Sequence, residues 1–435
     1  MKIAVVGSGI SGLGAALALS EKHEVQLFER DSRVGGHANT VEVAYRDGMQ
    51  PVDTGFIVYN QRNYPNLCAF FEHLEVPTRW SDMSFGFSLS EGRCEYACDS
   101  LDKIFAQRWR ALDPRFVGMA REILRFTKVA PNDMAAGRLA GLSLGEWLGQ
   151  RGFGRWFRER FLLPMGGAIW STSAQQILDF PAVNFVNFFC NHDLMTGLDA
   201  AQRWRTVEGG SREYVRRAHA RLGPRVLPGR EAVRVITTSA RPKVRFSDGA
   251  EEAFDQVVLA VHAPDALRLL DVPDDAQAGL LGAFRTTTNR AVLHSDTRLM
   301  PKRRRVWSSW NFLADAAEYD GERPAQVTYW MNRLQGIRED RPLFVSLNAR
   351  AEIDPIETHA VFDYAHPFFD QAAFDAQGSM DTIQGRGGVW YAGAWLGYGF
   401  HEDGLRAGLR VAAALGSVPD WAADLGRPMA EADAA

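Results

Sequence analysis

The sequence predicts an α/β fold built on parallel strands, and three observations predict it. Lys2-Ile3-Ala4-Val5-Val6 is a short apolar strand that runs straight into Gly7-Ser8-Gly9-Ile10-Ser11-Gly12. An Ala- and Leu-rich helix follows over residues 13–20. A second strand, 24–28, ends on Glu29, 17 positions beyond Gly12. Strand, glycine turn, helix and strand-end carboxylate together make a dinucleotide site. Gly7 makes the tight turn, Gly9 lets phosphates approach, and Gly12 lets the helix pack closely on the strand. Glu29 is placed to accept hydrogen bonds from both hydroxyls of an adenosine ribose.

At 435 residues and 46% hydrophobic, the chain buries a large core and is expected to form two domains. A net charge of −4 gives no reason to expect nucleic acid. The four cysteines (Cys68, Cys94, Cys98, Cys190) are few, and Cys94 and Cys98 lack metal-ligand spacing. They read as reduced thiols of a cytoplasmic protein, with no metal. The first strand begins at once, which leaves no room for a signal peptide. No apolar stretch reaches the ~18 residues of a membrane-spanning helix. The 26 Phe, 12 Trp and 10 Tyr suit a large apolar site as well as an ordinary core.

Beyond the opening unit, residues 80–205 turn helical and aromatic, with helices expected over 101–109, 115–128, 144–148 and 153–163. Thr206-Val207-Glu208-Gly209-Gly210-Ser211 breaks that run and starts a helix over 212–222. Short β-like runs follow at 226–227, 232–237, 243–246 and 256–261. From 285 to 382 the pattern is mixed, with strands expected at 290–293, 326–330 and 343–347. Residues 421–435 are small and polar and read as a frayed tail.

Directly after Glu29 comes Arg30-Asp31-Ser32-Arg33-Val34-Gly35-Gly36-His37. A second glycine pair so soon lets the chain pass beside a long cofactor, and Arg33 is placed to neutralise pyrophosphate charge. Asp53-Thr54-Gly55-Phe56 offers another polar turn. Residues 389–395 read as a buried strand entering a turn at Gly393-Ala394, and 404–413 as a helix with small residues on one face. A helix N-terminus at Glu402-Asp403-Gly404 would direct partial positive charge at a ring that becomes anionic on reduction, such as a flavin.

Glu29 with Arg33-Val34-Gly35-Gly36, and Gly393 with the helix from Gly404 to Gly408, resemble the flavin-containing amine-oxidase and phytoene-desaturase superfamily. The resemblance implies FAD. It implies a Rossmann-like FAD-binding domain of amine-oxidase/glutathione-reductase type, from residues 1–75, 205–285 and 385–420. A mixed α+β substrate domain, 76–204 and 286–384, would interleave with it. FAD contacts are implied for Gly7, Gly9, Ser11, Gly12, Glu29, Arg33, Gly35, Gly36, His37, Thr54, Gly393, Ala394, Asp403 and Gly404, with Val233 meeting the adenine through its backbone. There is one departure: the acidic residue usual after the last glycine is replaced by Ala394-Trp395, leaving a backbone contact from Ala394.

A narrower resemblance runs through residues 164–171, 289–296, 309–311 and 397–404. These are similar to bacterial flavoproteins that modify cyclopropane- and methyl-branched fatty acids, among them the desaturase that acts on methylated acyl chains on the way to furan fatty acids. It implies an acyl-chain or phospholipid substrate and dioxygen as electron acceptor. Such chemistry needs a C–H bond held over the flavin, a dry pocket and a proton acceptor. His401, just before the helix expected to face the flavin, is the first candidate, with a cap to that turn as its bland alternative. Glu402 and Asp403 compete for the role, but a carboxylate at a helix N-terminus is more often a cap. Asn289 and Arg290 fall where amine oxidases of the superfamily carry a lysine; its absence weakens the amine reading, and both also serve as strand anchors. His294 and His366 read as structural. Trp170, Tyr398, Phe400 and Trp395 are candidate walls of an apolar substrate pocket.

Residues 301–310 place four cations beside two tryptophans, and Arg108-Trp109-Arg110 and Arg155-Trp156-Phe157-Arg158 repeat the mixture. These runs suit anionic headgroups at the inner face of a membrane. Two other readings stay open: oxidation of an amine or other small molecule, and a flavin-free lipid-binding protein of the same fold.

Overall fold

The computed structural model describes residues 1–192, 204–238, 241–314 and 324–425. Part of the aromatic run before residue 205 and the last ten residues of the tail lie outside them. A parallel five-stranded sheet forms one layer, in the order Val226–Pro228, Glu24–Glu29, Lys2–Val6, Gln256–Leu259, Val389–Tyr391. Its central strands are buried on both faces, which is why they read as unbroken apolar runs. These strands come from widely separated stretches of chain, so the segments between them build a second unit before the chain returns.

The helix Ile10–Ser20 buries ten of its eleven residues between this sheet and the last helix, His401–Ala414. Those two helices cross at near backbone contact. A Cβ at Gly408 would lie 2.2 Å from the Ser11 carbonyl oxygen, and one at Gly404 would lie 2.9 Å from Ser11 Oγ. The small-residue face of the last helix is therefore a packing face.

The second unit is a seven-stranded mixed sheet, in the order Thr358–Phe368, Arg285–His294, Phe344–Leu347, Gln326–Trp330, Trp310–Ala314, Phe85–Leu89, Cys94–Ala97. A layer of helices covers it, among them Pro114–Ala135, Leu163–Trp170 and Ala182–Asn191, with a core rich in Phe.

Several elements differ from the sequence expectation. The helix expected over 101–109 is a single turn, Leu101–Ile104, followed by a 3-10 segment, Arg108–Leu112. The helix expected to stop at Lys128 runs through Pro131 to Ala135. Residues 153–163 are not one helix: a π turn, Arg158–Leu162, joins Arg155–Phe157 to Leu163–Trp170. Pro164 explains it. With no N–H, it cannot bond the Arg160 carbonyl four residues back, and the Tyr96 hydroxyl donates to that carbonyl instead. Inside the stretch read as helical lie two strands, Phe85–Leu89 and Cys94–Ala97. The hairpin Thr40–Tyr45/Gly48–Asp53 was also not anticipated. By contrast, Arg212–Leu222, Lys243–Phe246 and Gln326–Trp330 have the expected bounds.

Candidate functional site

One cavity of about 1370 Å³ runs from the glycine turn into the helical layer of the second unit. At its first end the strand Lys2–Val6 delivers Gly7, Ser8 and Gly9, and the helix Ile10–Ser20 begins there with no side-chain cap. Its first backbone N–H groups therefore face the cavity without a side-chain partner, which is the electrostatic requirement for a phosphate. Glu29 stands at the end of the neighbouring strand. Ser8 donates to its Oε2 from both N (3.0 Å) and Oγ (2.5 Å), and Asp31 N donates to Oε1 (3.0 Å). The carboxylate is thus aimed across the turn. Val233 completes this end.

The middle of the cavity is lined by His37, Thr54, Phe56, His262, Tyr364, His366, Gly393, Ala394 and His401. The Thr54 hydroxyl lies 2.7 Å from the Tyr364 hydroxyl, which also accepts from Asn39 Nδ2 at 2.8 Å. His401 stacks on Phe56 with ring centroids 3.8 Å apart, and its Nε2 lies 3.1 Å from the Tyr214 hydroxyl. Burial pushes the His401 imidazole down to about 3. Burial, helped by His262, lowers His366 to about 4. His37 is pushed well below the usual range, by burial first and then by neighbouring imidazoles. All three rings are therefore neutral at neutral pH. His37 Nε2 is buried with no hydrogen-bond partner among the described residues, so a polar group belongs beside it.

The far end is apolar, with Met119, Ile123, Phe161, Met165, Ile169, Trp170 and Phe188 from the helices and Phe85, Tyr96, Trp310, Tyr329 and Leu347 from the sheet. Tyr398 and Phe400 close it toward the middle, with Phe400 stacked on Phe188 at 5.2 Å. The single carboxylate there among the described residues, Asp99, is paired with Lys103.

Of the sequence-derived candidates, Gly7, Gly9, Ser11, Glu29, Gly36, His37, Thr54, Val233, Gly393, Ala394, His401, Trp170, Tyr398 and Phe400 meet on this one wall. Others do not. Glu402 Oε1 accepts from Asn66 N (3.1 Å) and Asn66 Nδ2 (2.7 Å), and Oε2 from Leu67 N (2.9 Å). It caps the helix Pro65–His73 and is not a reacting group. Asp403 Oδ2 accepts from Tyr398 N (3.1 Å) and Phe400 N (3.0 Å), so it holds the loop bearing those two aromatics instead of contacting a cofactor. Gly12 and Gly404 are packing positions, and Gly35 lies against Val215. The Arg33 guanidinium is spent on the carbonyls of Ala38 (3.0 Å) and Gly36 (2.9 Å), bracing the second glycine turn. Asn289 is buried between Asn348 and His366, and Arg290 is exposed, so neither reaches the cavity. His294 is structural, with Ser346 Oγ 2.8 Å from its Nε2. His366 is a cavity residue after all. Sequence reasoning missed His262, Tyr214 and Tyr364, and no local pattern marks them.

The basic–aromatic runs are mostly paired internally. Arg303 bonds Glu95, Arg304 pairs with Glu339 and lies over Trp307 and Trp330, and Trp307 is buried. Arg110 pairs with Asp113, and Arg155 pairs with Glu159.

The family model for flavin-containing amine oxidoreductases matches residues 10–333. The chain belongs to that family. Among curated relatives, an inferred flavin-containing monoamine oxidase (AofH) of Mycobacterium tuberculosis is 29% identical over 58% of this chain and 55% of its own. The chain thus spans about half the length of that relative. A 4,4'-diapophytoene desaturase of Staphylococcus aureus is 49% identical over 50 residues, 11% of this chain and 9% of its own. Among solved structures, putrescine oxidase bound to putrescine aligns with TM-score 0.68 at 18% identity, over 95% of this chain and 99% of the other. A fatty acid isomerase of P. acnes that produces CLA aligns with TM-score 0.65 at 14% identity, over 95% and 97%. At such identities these two establish the fold alone.

A flavin-containing amine oxidoreductase carries FAD, and the residues here fit it. The uncapped helix start and glycine turn suit the pyrophosphate, Glu29 the adenosine ribose, and the unpartnered His37 Nε2 a polar group further along. Glu29→Ala is expected to weaken FAD binding by about 10- to 100-fold, the worth of one or two charge-assisted hydrogen bonds. Flavin fluorescence released on dilution measures it; unchanged retention would remove Glu29 from the site.

Proposed function

We propose that this flavin oxidoreductase desaturates a methyl-branched or otherwise modified fatty acyl chain of membrane lipids. The observation that carries the reading is the far end of the cavity, a long apolar chamber whose one carboxylate among the described residues is already paired. A hydrocarbon chain fits such a lining at about 25 cal/mol per Å² of buried apolar surface, whereas an ammonium group would find no unpaired carboxylate there among the described residues. The likeness of residues 164–171, 289–296, 309–311 and 397–404 to enzymes of branched acyl chains supports the substrate class.

FAD, when bound, supplies the acceptor for a hydride, with dioxygen taking the electrons afterwards. The chain's own part is to hold the acyl chain, exclude water and receive the proton that leaves the neighbouring carbon. The aromatic walls of Trp170, Phe188, Tyr398 and Phe400 do the first two. His401 is the proposed proton acceptor. Its ring is fixed by the Phe56 stack, its Nε2 is engaged with Tyr214, and Nδ1 has no hydrogen bond among the described residues. A ring held near pKa 3 is already deprotonated at neutral pH and so competent as a base, though a weak one.

The test is anaerobic mixing of the holoenzyme with phospholipids bearing straight or methyl-branched chains, following flavin bleaching and the mass of the acyl product. Bleaching by branched lipids with loss of two hydrogens supports the reading; bleaching by amines and not by lipids replaces it with amine oxidation. His401→Ala is expected to slow reduction at least tenfold while flavin stays bound. Because the folded pKa is lowered, His401 charges only as pH falls toward 3. The wild-type reduction rate should therefore lack an inflection near 6.5, and one that His401→Ala abolishes would contradict the neutral, buried ring.

A further inference from the structure

The cavity opens to solvent through residues that are themselves apolar and exposed. Leu101 and Leu124 both line it, and each remains 64% exposed. Leu101 sits on the single turn Leu101–Ile104. Leu124 sits on the helix Pro114–Ala135, which gives Ala120, Ile123, Leu124 and Thr127 to the wall at helical spacing. Between these two elements, Trp109 is 56% and Leu112 88% exposed. Four of the large apolar side chains that the fold leaves in solvent thus fall within 24 residues of chain, and two of them, Leu101 and Leu124, line the mouth. Scattered exposed leucines need no explanation, but a cluster at a cavity entrance does.

The charge around the mouth is positive although the whole chain is −4. Residues 99–128 hold seven Lys and Arg against four Asp and Glu. Arg108 and Arg305 share the single carboxylate of Asp102, and Arg110 and Arg115 share that of Asp113. Arg121 and Lys128, which flank Leu124 on its helix face, are exposed and in no ion pair among the described residues.

We infer that this face, residues 101–128, docks on the surface of an anionic phospholipid bilayer and presents the cavity mouth to it. Leu101, Trp109, Leu112 and Leu124 enter the headgroup layer while Arg121 and Lys128 meet phosphates. An acyl chain then passes from bilayer to cavity without crossing water. The inference builds on the acyl-chain reading by assigning the face, with Leu101, Trp109, Leu112 and Leu124, and not the buried Trp307, as its apolar contacts.

The test is sedimentation of the holoenzyme with vesicles of phosphatidylcholine alone or with added phosphatidylglycerol. Binding is expected to the anionic vesicles, to weaken with salt, and to be slight on the neutral ones. Leu112→Glu combined with Arg121→Glu, neither of which lines the cavity, is expected to lower the bound fraction about tenfold or more. Ile356→Glu, which alters an exposed apolar residue outside this face, is expected to leave it unchanged. A holoenzyme that stays in the supernatant with both vesicles overturns the proposal. So does binding that the double variant leaves intact, or that Ile356→Glu reduces as much. Vesicle binding needs no turnover, so it can hold when no acyl chain is oxidised and fail when one is.

Discussion

Gly12→Ala is expected to give a protein that melts several degrees below wild type and is isolated without FAD. A Cβ at position 12 would lie 1.8 Å from the Gly7 carbonyl oxygen and 3.0 Å from its carbonyl carbon, with Ala260 Cβ at 3.3 Å on the other side. The obstacle is backbone, which cannot rotate aside as a side chain can. Either the helix Ile10–Ser20 lifts off the sheet or the turn that starts it is remade. The helix is also clamped from behind, where Gly408 meets the Ser11 carbonyl, so it has little room to lift. Overpacking of this kind costs about 3 kcal/mol or more. Gly9→Ala separates folding from binding. Gly9 has φ −66, which any residue adopts, and no atom lies within 4 Å of its would-be Cβ. The Gly9→Ala apoprotein should melt like wild-type apoprotein and yet bind FAD poorly, because the added methyl occupies the cavity wall. Calorimetry of the two apoproteins, with flavin content measured alongside, checks the pair. Equal melting of Gly12→Ala and wild type would mean that the helix is not held where the structure puts it.

What the sequence discloses follows from how local each feature is. The opening βαβ unit lies within thirty residues, and its strands, turn and carboxylate could all be read from adjacent positions. The pairing of Phe85–Leu89 with Trp310–Ala314 joins segments more than two hundred residues apart, so two short aromatic strands passed for part of a helical run. The hairpin at residues 40–53 did carry a signal, alternating Val41, Val43 and Tyr45 before Asp47-Gly48. At the cavity, the glycines and Glu29 are legible because they serve the cofactor through their own turn. The imidazoles of His37, His262, His366 and His401 come together from four distant points, and nothing near any one of them announces the others. Of the acidic pair after His401, Asp403 is the local cap its position suggests, holding Tyr398 N and Phe400 N a few residues back. Glu402 also stands where a helix dipole would favour it, but its partner is set by tertiary packing, on a helix over three hundred positions away.

That distant partnership makes Glu402→Ala the other variant with a large expected effect, and the effect is on stability. Glu402 is 5% exposed and accepts two backbone N–H groups and the Asn66 amide. The helix Pro65–His73 has Tyr64 at its N-cap and no side-chain cap of its own, so without Glu402 those donors are buried unpaired. A loss of about 3–5 kcal/mol is expected, seen as a fall in Tm and in denaturant midpoint. Glu402→Gln should fall between, since one amide oxygen can replace only part of the carboxylate. Burial raises the Glu402 pKa above its ordinary 4.5 despite the hydrogen bonds that oppose the shift. The folded protein therefore binds this proton more tightly than the unfolded chain does. The resulting stabilisation is complete below pH 4.5 and is lost as pH rises through the raised value. The gap in stability between wild type and Glu402→Gln should narrow over that same interval. If Glu402 were instead a reacting group, the pattern would invert: Glu402→Ala would melt normally, keep its flavin, and fail only when substrate is added.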